Sequence, residues 1–358
     1  MNRYKLKDIS LSKLEYGSGA AACEYDGKTR YVRITDIDNE GNLGMDVVSP
    51  NSVDDKYLLN DGDVLFARTG ATVGKTYLYR SSAGRCIYAG FLIRVVPNQK
   101  IIRPDYLYYF TKSPQYKGFV QSSMKIVAQP NINAKQYGDL EFNVPSLEEQ
   151  DLIIKKLNTI SSVIILRRTE LMKLDELIKA RFVEMFYDKG YPVLKWNDVF
   201  NTTTGKLDSN AAVDGGAYPF FTCSKEVLRI DDYAFEEEAL LLAGNNAAGK
   251  YDVKYYSGKF NAYQRTYVLT LKENWSYRLF QYQLEDKLAY LQQQSLGGLT
   301  KYLTLKILGE LEFIIPPKKQ QDKFDLFIKQ VDKSKVAVQK ALDDTQLLFN
   351  SLMQKYFG

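Results

Sequence analysis

Two glycine-bounded loops hold the residues whose types and spacing come nearest to chemistry. Gly70-Ala71-Thr72-Val73-Gly74-Lys75-Thr76 and Gly244-Asn245-Asn246-Ala247-Ala248-Gly249-Lys250-Tyr251 both approach a phosphate-cradling loop, in which backbone N–H groups and a lysine hold a nucleotide's phosphates. Both fail in detail. The first is one residue short, with Thr69 where the leading glycine belongs, and the second puts Tyr251 where a Mg²⁺-binding hydroxyl is needed. A phosphate loop must also open a helix, whereas the following Tyr77-Leu78-Tyr79 and Val253-Lys254-Tyr255-Tyr256 favour strands. Two readings remain open: plain tight β-turns, or loops whose glycines set a backbone shape while variable polar residues face a ligand. Arginine suits guanine and asparagine suits adenine in a DNA major groove, so exchanging Arg68-Thr69 for Asn245-Asn246 would change the base read.

Other chemistries are restricted by what is missing. The 358 residues include no histidine, which removes Ser/His/Asp and Cys/His triads and imidazole metal sites. Three scattered cysteines, Cys23, Cys86 and Cys223, form no CxxC pair and read as reduced packing residues. A carboxylate-dependent nuclease would need an acidic pair and a lysine on adjoining strands, but Glu285-Asp286-Lys287 falls in a predicted helix without a matching upstream acid. Apolar runs are too short to span a bilayer and no signal segment is visible, so a cytoplasmic protein is expected. Net charge is +5, spread as +4, 0, −2 and +3 over residues 1–146, 147–186, 187–317 and 318–358. No segment carries a strong basic field, so any nucleic-acid binding would draw much of its phosphate attraction from a partner.

The elements that position these loops come in duplicate. A shift of 171 positions aligns Gly138-Asp139-Leu140-Glu141-Phe142 with Gly309-Glu310-Leu311-Glu312-Phe313, and Pro145 with Pro316. The same shift pairs Gln150-Asp151 with Gln321-Asp322, Leu171 with Leu342 and Phe186 with Phe357. Two copies make a duplicated domain pair, too few for a solenoid. After each proline runs a long helical pattern, opened in the first copy by Ser146 and Glu149 as a capping box. Ile153, Leu157, Ile160, Ile164, Leu171, Leu174 and Ile178 recur at spacings of four and three, interrupted by Arg167. Phe324, Ile328, Val331, Val338, Leu342 and Phe349 mark the second helix, interrupted by Lys335 and Thr345. Each helix could lay this stripe on its own domain, or the two could pack as a coiled coil, the preferred expectation. Roughly forty residues at 1.5 Å each make a rod of about 60 Å.

Ahead of each helix the pattern is short and strand-like, as in Tyr31-Val32-Arg33-Ile34, Asp63-Val64-Leu65-Phe66 and Phe91-Leu92-Ile93-Arg94-Val95-Val96, with turns such as Asn39-Glu40-Gly41-Asn42, Asn60-Asp61-Gly62 and Asp214-Gly215-Gly216 between. Short helices near 104–113 and 277–294 make each module mixed. The expected class is α+β: two tandem strand-rich domains, each followed by a long helix, the helices packing as an antiparallel coiled coil. The boundaries read as 1–146, the helix 147–188, 189–317, and the helix 318–358.

This order of motifs resembles the specificity subunit of a type I restriction-modification enzyme. The resemblance is carried by residues 62–75, by Tyr31-Val32-Arg33-Ile34-Thr35-Asp36-Ile37, by Gln129-Pro130-Asn131-Ile132-Asn133, and by Val144-Pro145-Ser146-Leu147-Glu148-Glu149-Gln150. The second copy departs from it: Pro-Asn-Ile-Asn becomes Lys301-Tyr302-Leu303-Thr304, and the loop keeps little beyond Ala243-Gly244 and Gly249-Lys250. The resemblance implies that each domain reads half of a split double-stranded DNA site while the helices fix the unread spacer. It further implies two methyltransferase subunits that methylate adenine N6 with S-adenosylmethionine, and restriction subunits that cleave using ATP and Mg²⁺. No catalytic, cofactor or metal site is then expected in this chain. The DNA-contact candidates are Arg33, Arg68, Thr69, Lys75, Lys125, Gln129 and Asn131 in the first domain, and Lys206, Asn245, Asn246, Lys250, Gln264, Arg265 and Lys301 in the second, all polar groups in or beside turns. The rival expectations are a coiled-coil scaffold whose modules bind protein, or the nuclease above.

Overall fold

The computed structural model describes residues 2–124, 130–247 and 249–358, and the fold is α+β. The chain forms two compact units, Met1–Arg168 with Lys340–Gly358, and Thr169–Gln339. Each unit therefore owns part of the central helix Leu147–Phe186 and part of the C-terminal helix Lys318–Phe357.

In the first unit a four-stranded antiparallel sheet runs in the order Glu15–Tyr16, Leu92–Val95, Val64–Ala67, Thr76–Leu78. Side chains alternate across a strand, and here both faces are covered. Val64, Phe66, Ile93 and Val95 join the core beneath the short helices, while Leu65, Ala67 and Leu92 join Val32, Tyr77 and Tyr88 on the other side. A parallel pair, Arg30–Val32 with Cys86–Tyr88, flanks the sheet. Asn2–Lys5 pairs with Glu141–Val144, which leads into the central helix.

The second unit holds a six-stranded sheet in the order Phe200–Thr204, Thr266–Leu271, Phe235–Ala243, Val253–Ala262, Tyr218–Phe221, Leu228–Ile230. Its first four strands repeat the order of the first unit's four. The division of side chains repeats too: Leu240, Leu242 and Leu269 enter one core cluster, and Ala239, Leu241 and Val268 the other. Val193–Lys195 pairs with Glu312–Ile314 as its counterpart pair does ahead of the central helix.

The start of each long helix is built around one buried glutamine. Ser146 and Glu149 form the capping box, Glu149 N donating to Ser146 Oγ at 3.3 Å and Ser146 N to Glu149 Oε2 at 3.1 Å. Behind it Gln150, fully buried, donates through Nε2 to the carbonyls of Pro145 and Ile101 and accepts from Arg103 N at 2.7 Å. Gln321 does the same in the second unit, donating to Pro316 O at 2.8 Å and accepting from Ser276 N at 2.8 Å. Each glutamine thus fastens a short helix to the start of a long one.

Within each unit the two long helices pack on each other. In the first, Ile153, Leu157 and Ile164 are buried on the central helix, and Ile153 and Leu157 share a core cluster with Met353 and Phe357, whose ring lies 5.0 Å from that of Tyr106. In the second, Ile178, Phe182 and Phe186 pack on Phe324, Ile328 and Val331. Lys156 Nζ donates to Tyr356 OH in the first unit, and Lys335 pairs with Asp175 in the second. The helices accordingly run antiparallel. Ile160, Leu171, Leu174, Leu342 and Phe349 are half-buried, and Val338 is buried. The stripe extends through Phe182, Phe186, Met353 and Phe357, and the polar Lys335 that interrupts it is held by its ion pair.

Candidate nucleic-acid interface

The glycine-bounded loops lead into strands, as the aromatic and β-branched residues after them require. Gly70–Thr72 is a single 3-10 turn before Thr76–Leu78, and residues 245–252 precede Val253–Ala262. Among the described residues neither loop opens an α-helix whose N-terminus could face a phosphate. Gly74 is needed for its backbone: its φ is +84° and a Cβ there would meet Val120 Cγ1 at 2.6 Å. Tyr116 and Tyr137, both pushed up in pKa by burial, donate their hydroxyls to Gly74 O and Ala67 O and so pin both ends of the loop.

Hydrogen-bond register corrects the equivalence between the two loops. Arg68 N donates to Phe91 O and its carbonyl accepts from Ile132 N; in the second unit Gly244 N donates to Arg265 O and its carbonyl accepts from Leu303 N. Arg68 therefore matches Gly244, and Thr69-Gly70 match Asn245-Asn246, one position off the alignment expected from composition. Ala67 N bonds Lys75 O where Ala243 N bonds Asp252 O, so Lys75 matches Asp252 and not Lys250. The second loop is one residue longer.

The same comparison defines a corner at the end of each sheet where four segments meet. Tyr16 is paired with Ile93 and Thr204 with Tyr267, while Ala67 faces Leu92 and Ala243 faces Thr266. Both turns that enter the second strand of the sheet are tight, Leu92 N to Ala89 O and Thr266 N to Tyr263 O, each at 2.8 Å, which makes Phe91 and Arg265 equivalent turn residues. Thr69 bridges Asn131, and Asn245 bridges Tyr302. The first corner is thus Tyr16, Arg68, Phe91 and Asn131, and the second is Thr204, Gly244, Arg265 and Tyr302.

In the first corner the Arg68 guanidinium lies over the Tyr16 ring, 4.5 Å from its centre, and Nε donates to Asn131 Oδ1 at 3.4 Å. The Tyr16 hydroxyl in turn accepts from Ala134 N at 3.1 Å. Phe91 is 57% exposed beside them, an apolar ring with no core to fill. In the second corner Gly244 admits no side chain, since a Cβ would meet Arg265 O at 2.4 Å and the Tyr267 ring at 3.0 Å. The corner there is a recess of about 300 Å³ lined by Thr204, Gly244, Gln264, Arg265, Tyr267, Tyr302 and Leu303.

Of the candidates from sequence, Arg68, Thr69 and Asn131 come together in the first corner. Arg33 does not join them: its guanidinium is held by Asp36 at 2.7 Å and Asp46 at 2.9 Å, ion pairs that raise its pKa further. Lys75 turns inward and donates through Nζ to Ile37 O at 3.1 Å. Lys125 and Gln129 lie outside the described residues. In the second unit the candidates converge: Asn245 and Asn246 pair with Tyr302 and Lys301, Lys250 N donates to Asn246 Oδ1, and Gln264 and Arg265 form the adjoining turn. Gln264 also donates to Asp208 at 3.3 Å, close in sequence to the exposed Lys206. Sequence reading missed Tyr16, Phe91, Thr204 and Tyr302. A signal existed for two of them, because Tyr16 and Thr204 each precede a glycine, Gly17 and Gly205, whose Cβ would strike a neighbouring carbonyl.

A family profile described as the type I restriction modification DNA specificity domain matches residues 3–176 and again 188–345. The chain belongs to this family. Among curated members it is similar to the type I restriction enzyme EcoDI specificity subunit of Escherichia coli, 33% identical over 157 residues, which are 42% of this chain and 34% of that protein. It is also similar to the StySPI specificity subunit of Salmonella potsdam, 25% identical over 135 residues, 37% of this chain and 29% of that one. Each match thus spans about a third of the length of the curated relative. Over its whole length the fold resembles the S subunit of a type I restriction-modification system from M. genitalium, with 14% identity, a TM-score of 0.62, and 100% and 96% of the two chains covered. A chain from a study of the assembly and conformational transition of the type I R-M system gives 17% identity, a TM-score of 0.57, and 99% and 97% coverage. Two specificity domains in one chain account for the doubled sheet order and the doubled corner. Among the described residues no helix is long and apolar enough to cross a membrane, and no cluster of His, Cys, Asp or Glu suits a metal ion.

Proposed function

We propose that the chain is the DNA-reading subunit of a type I restriction-modification complex, each unit recognising one half of a split double-stranded site. The observation that carries this is duplication: two matches to a DNA specificity domain, each with the same strand order and a polar corner at the same sheet end. Adenine-N6 methylation from S-adenosylmethionine, and cleavage using ATP and Mg²⁺, belong to partner subunits in the cytoplasm. The long helices support the partner reading. Leu152, Ile165, Leu166 and Leu347 in the first unit, and Met172, Leu326 and Val336 in the second, are each about 60–70% exposed. In each unit, large apolar side chains standing in water on the long helices offer surface that a partner helix would cover. Two methyltransferase subunits, one for each half-site, would use it, and two restriction subunits would join through them.

Module exchange tests this reading. Replacing residues 1–146 by another such domain should change one half of the methylated motif and leave the other half and the spacing intact. Mapping adenine methylation in cells carrying the chain with its methyltransferase reads the result, and a change in both halves together would refute bipartite recognition. Purified chain with Mg²⁺ and unmethylated DNA should leave the DNA uncut; cutting would restore the nuclease.

A further inference from the structure

The two corners differ in a patterned way. At four equivalent positions each carries one arginine and one tyrosine, but on different segments: Tyr16 and Arg68 in the first unit, Arg265 and Tyr302 in the second. Where the first unit has Arg68 opposite Phe91, the second has Gly244 opposite Arg265. Each unit thus carries one guanidinium at the same sheet end, on backbone positions that are hydrogen-bonded neighbours.

We propose that this corner is where each unit reads a guanine, through Arg68 in the first and Arg265 in the second. The inference rests on the DNA-reading function above and names its chemistry. A guanidinium carries five N–H donors in a rigid plane, and two of them span O6 and N7 of guanine in the major groove. Arg68 spends Nε on Asn131 and stacks its plane on Tyr16, which leaves the Nη donors as the fork. Tyr16 is fixed in turn by the bond from Ala134 N, so it acts as a positioning residue for Arg68. Arg265 is exposed at its turn, and its side chain makes no hydrogen bond or ion pair with the described residues. A phosphate contact needs only a positive point charge, whereas a stacked and hydrogen-bonded plane has an orientation to present.

The test is a methylation map of cells carrying the chain and its methyltransferase, with wild type beside four variants. Arg68→Lys keeps the charge and loses the fork; it should make one guanine of the first half-site degenerate, with roughly 5- to 150-fold of discrimination lost there. The second half and the spacing should stay. Arg265→Lys should do the mirror image. Tyr16→Leu should relax the same guanine as Arg68→Lys but by less, and Tyr16→Phe, which keeps the ring and loses only the bond from Ala134 N, should fall between Tyr16→Leu and wild type. An effect of Tyr16 on folding alone would lower methylation without altering base preference. If either arginine variant leaves the motif sharp, or weakens methylation evenly at every site, the residue contacts phosphate and the inference falls while bipartite reading stands. A half-site without guanine also overturns it. If wild type methylates no split motif, the proposed function fails first and this inference with it.

Discussion

Lys112 shows how much a single side chain can be constrained outside the corner. It is held among Thr76, Tyr108 and the turn at Gly41, its ammonium 4.6 Å from the centre of the Tyr108 ring. Burial pushes its pKa down from 10.5 to about 8, against the pull of Asp38 and Glu40, with Lys117 adding to the depression. Between those two values the folded chain holds fewer protons than the unfolded one, so stability rises with pH across that window. Below pH 8 the full desolvation penalty applies. Lys112→Met should therefore stabilise the first unit by roughly 1–3 kcal/mol at neutral pH. That advantage should shrink as pH climbs through 8 toward 10.5, as thermal melts at a series of pH values would show.

At the scale of elements, the joints between short and long helices matter more than helix propensity. Gln150 and Gln321 each satisfy otherwise buried backbone groups on two elements at once. Either glutamine changed to Ala leaves those groups unpaired, and each variant should lose about 2–4 kcal/mol. The loss should appear only in the unit that holds the glutamine, so calorimetry should show one of two transitions moving while the other stays. Equal shifts of both would refute separate units. The pairing of Gln150 with Gln321 is visible in the sequence as a repeat; its reason is not, because the amides each accepts from, Arg103 N and Ser276 N, lie nearly fifty positions away.

At the scale of the whole molecule, both long helices pass from one compact unit to the other, near Arg168–Thr169 and near Gln339–Lys340. A heptad added to the central helix between Ile164 and Leu171, with a matching heptad near Gln339 in the C-terminal helix, keeps each unit's own packing stripe in register. Seven residues add about 10 Å along a helix. The expected outcome is an unread spacer longer by about three base pairs at 3.4 Å each, with both half-sites unchanged. Methylation mapping reads this directly, and an unaltered spacer would remove the helices from that role.

The sequence by itself determined the duplication, the two long helices with their stripes, the α+β class and the rejection of a phosphate loop. All of these rest on local periodicity and on a repeat that keeps one offset near the helices. The corner was decided only in three dimensions. The offset between equivalent residues falls from 188 at Tyr16 and Thr204, through 176 at Arg68 and Gly244, to 171 at Asn131 and Tyr302, because the loops differ in length. The single shift of 171 sets Asn131 against Tyr302 but misplaces Tyr16, Arg68 and Phe91, whereas backbone hydrogen bonds fix register whatever the loops insert. Arg33 makes the same point from the other side: a basic residue beside a turn looks available in sequence, and only folding brings Asp46 to claim it.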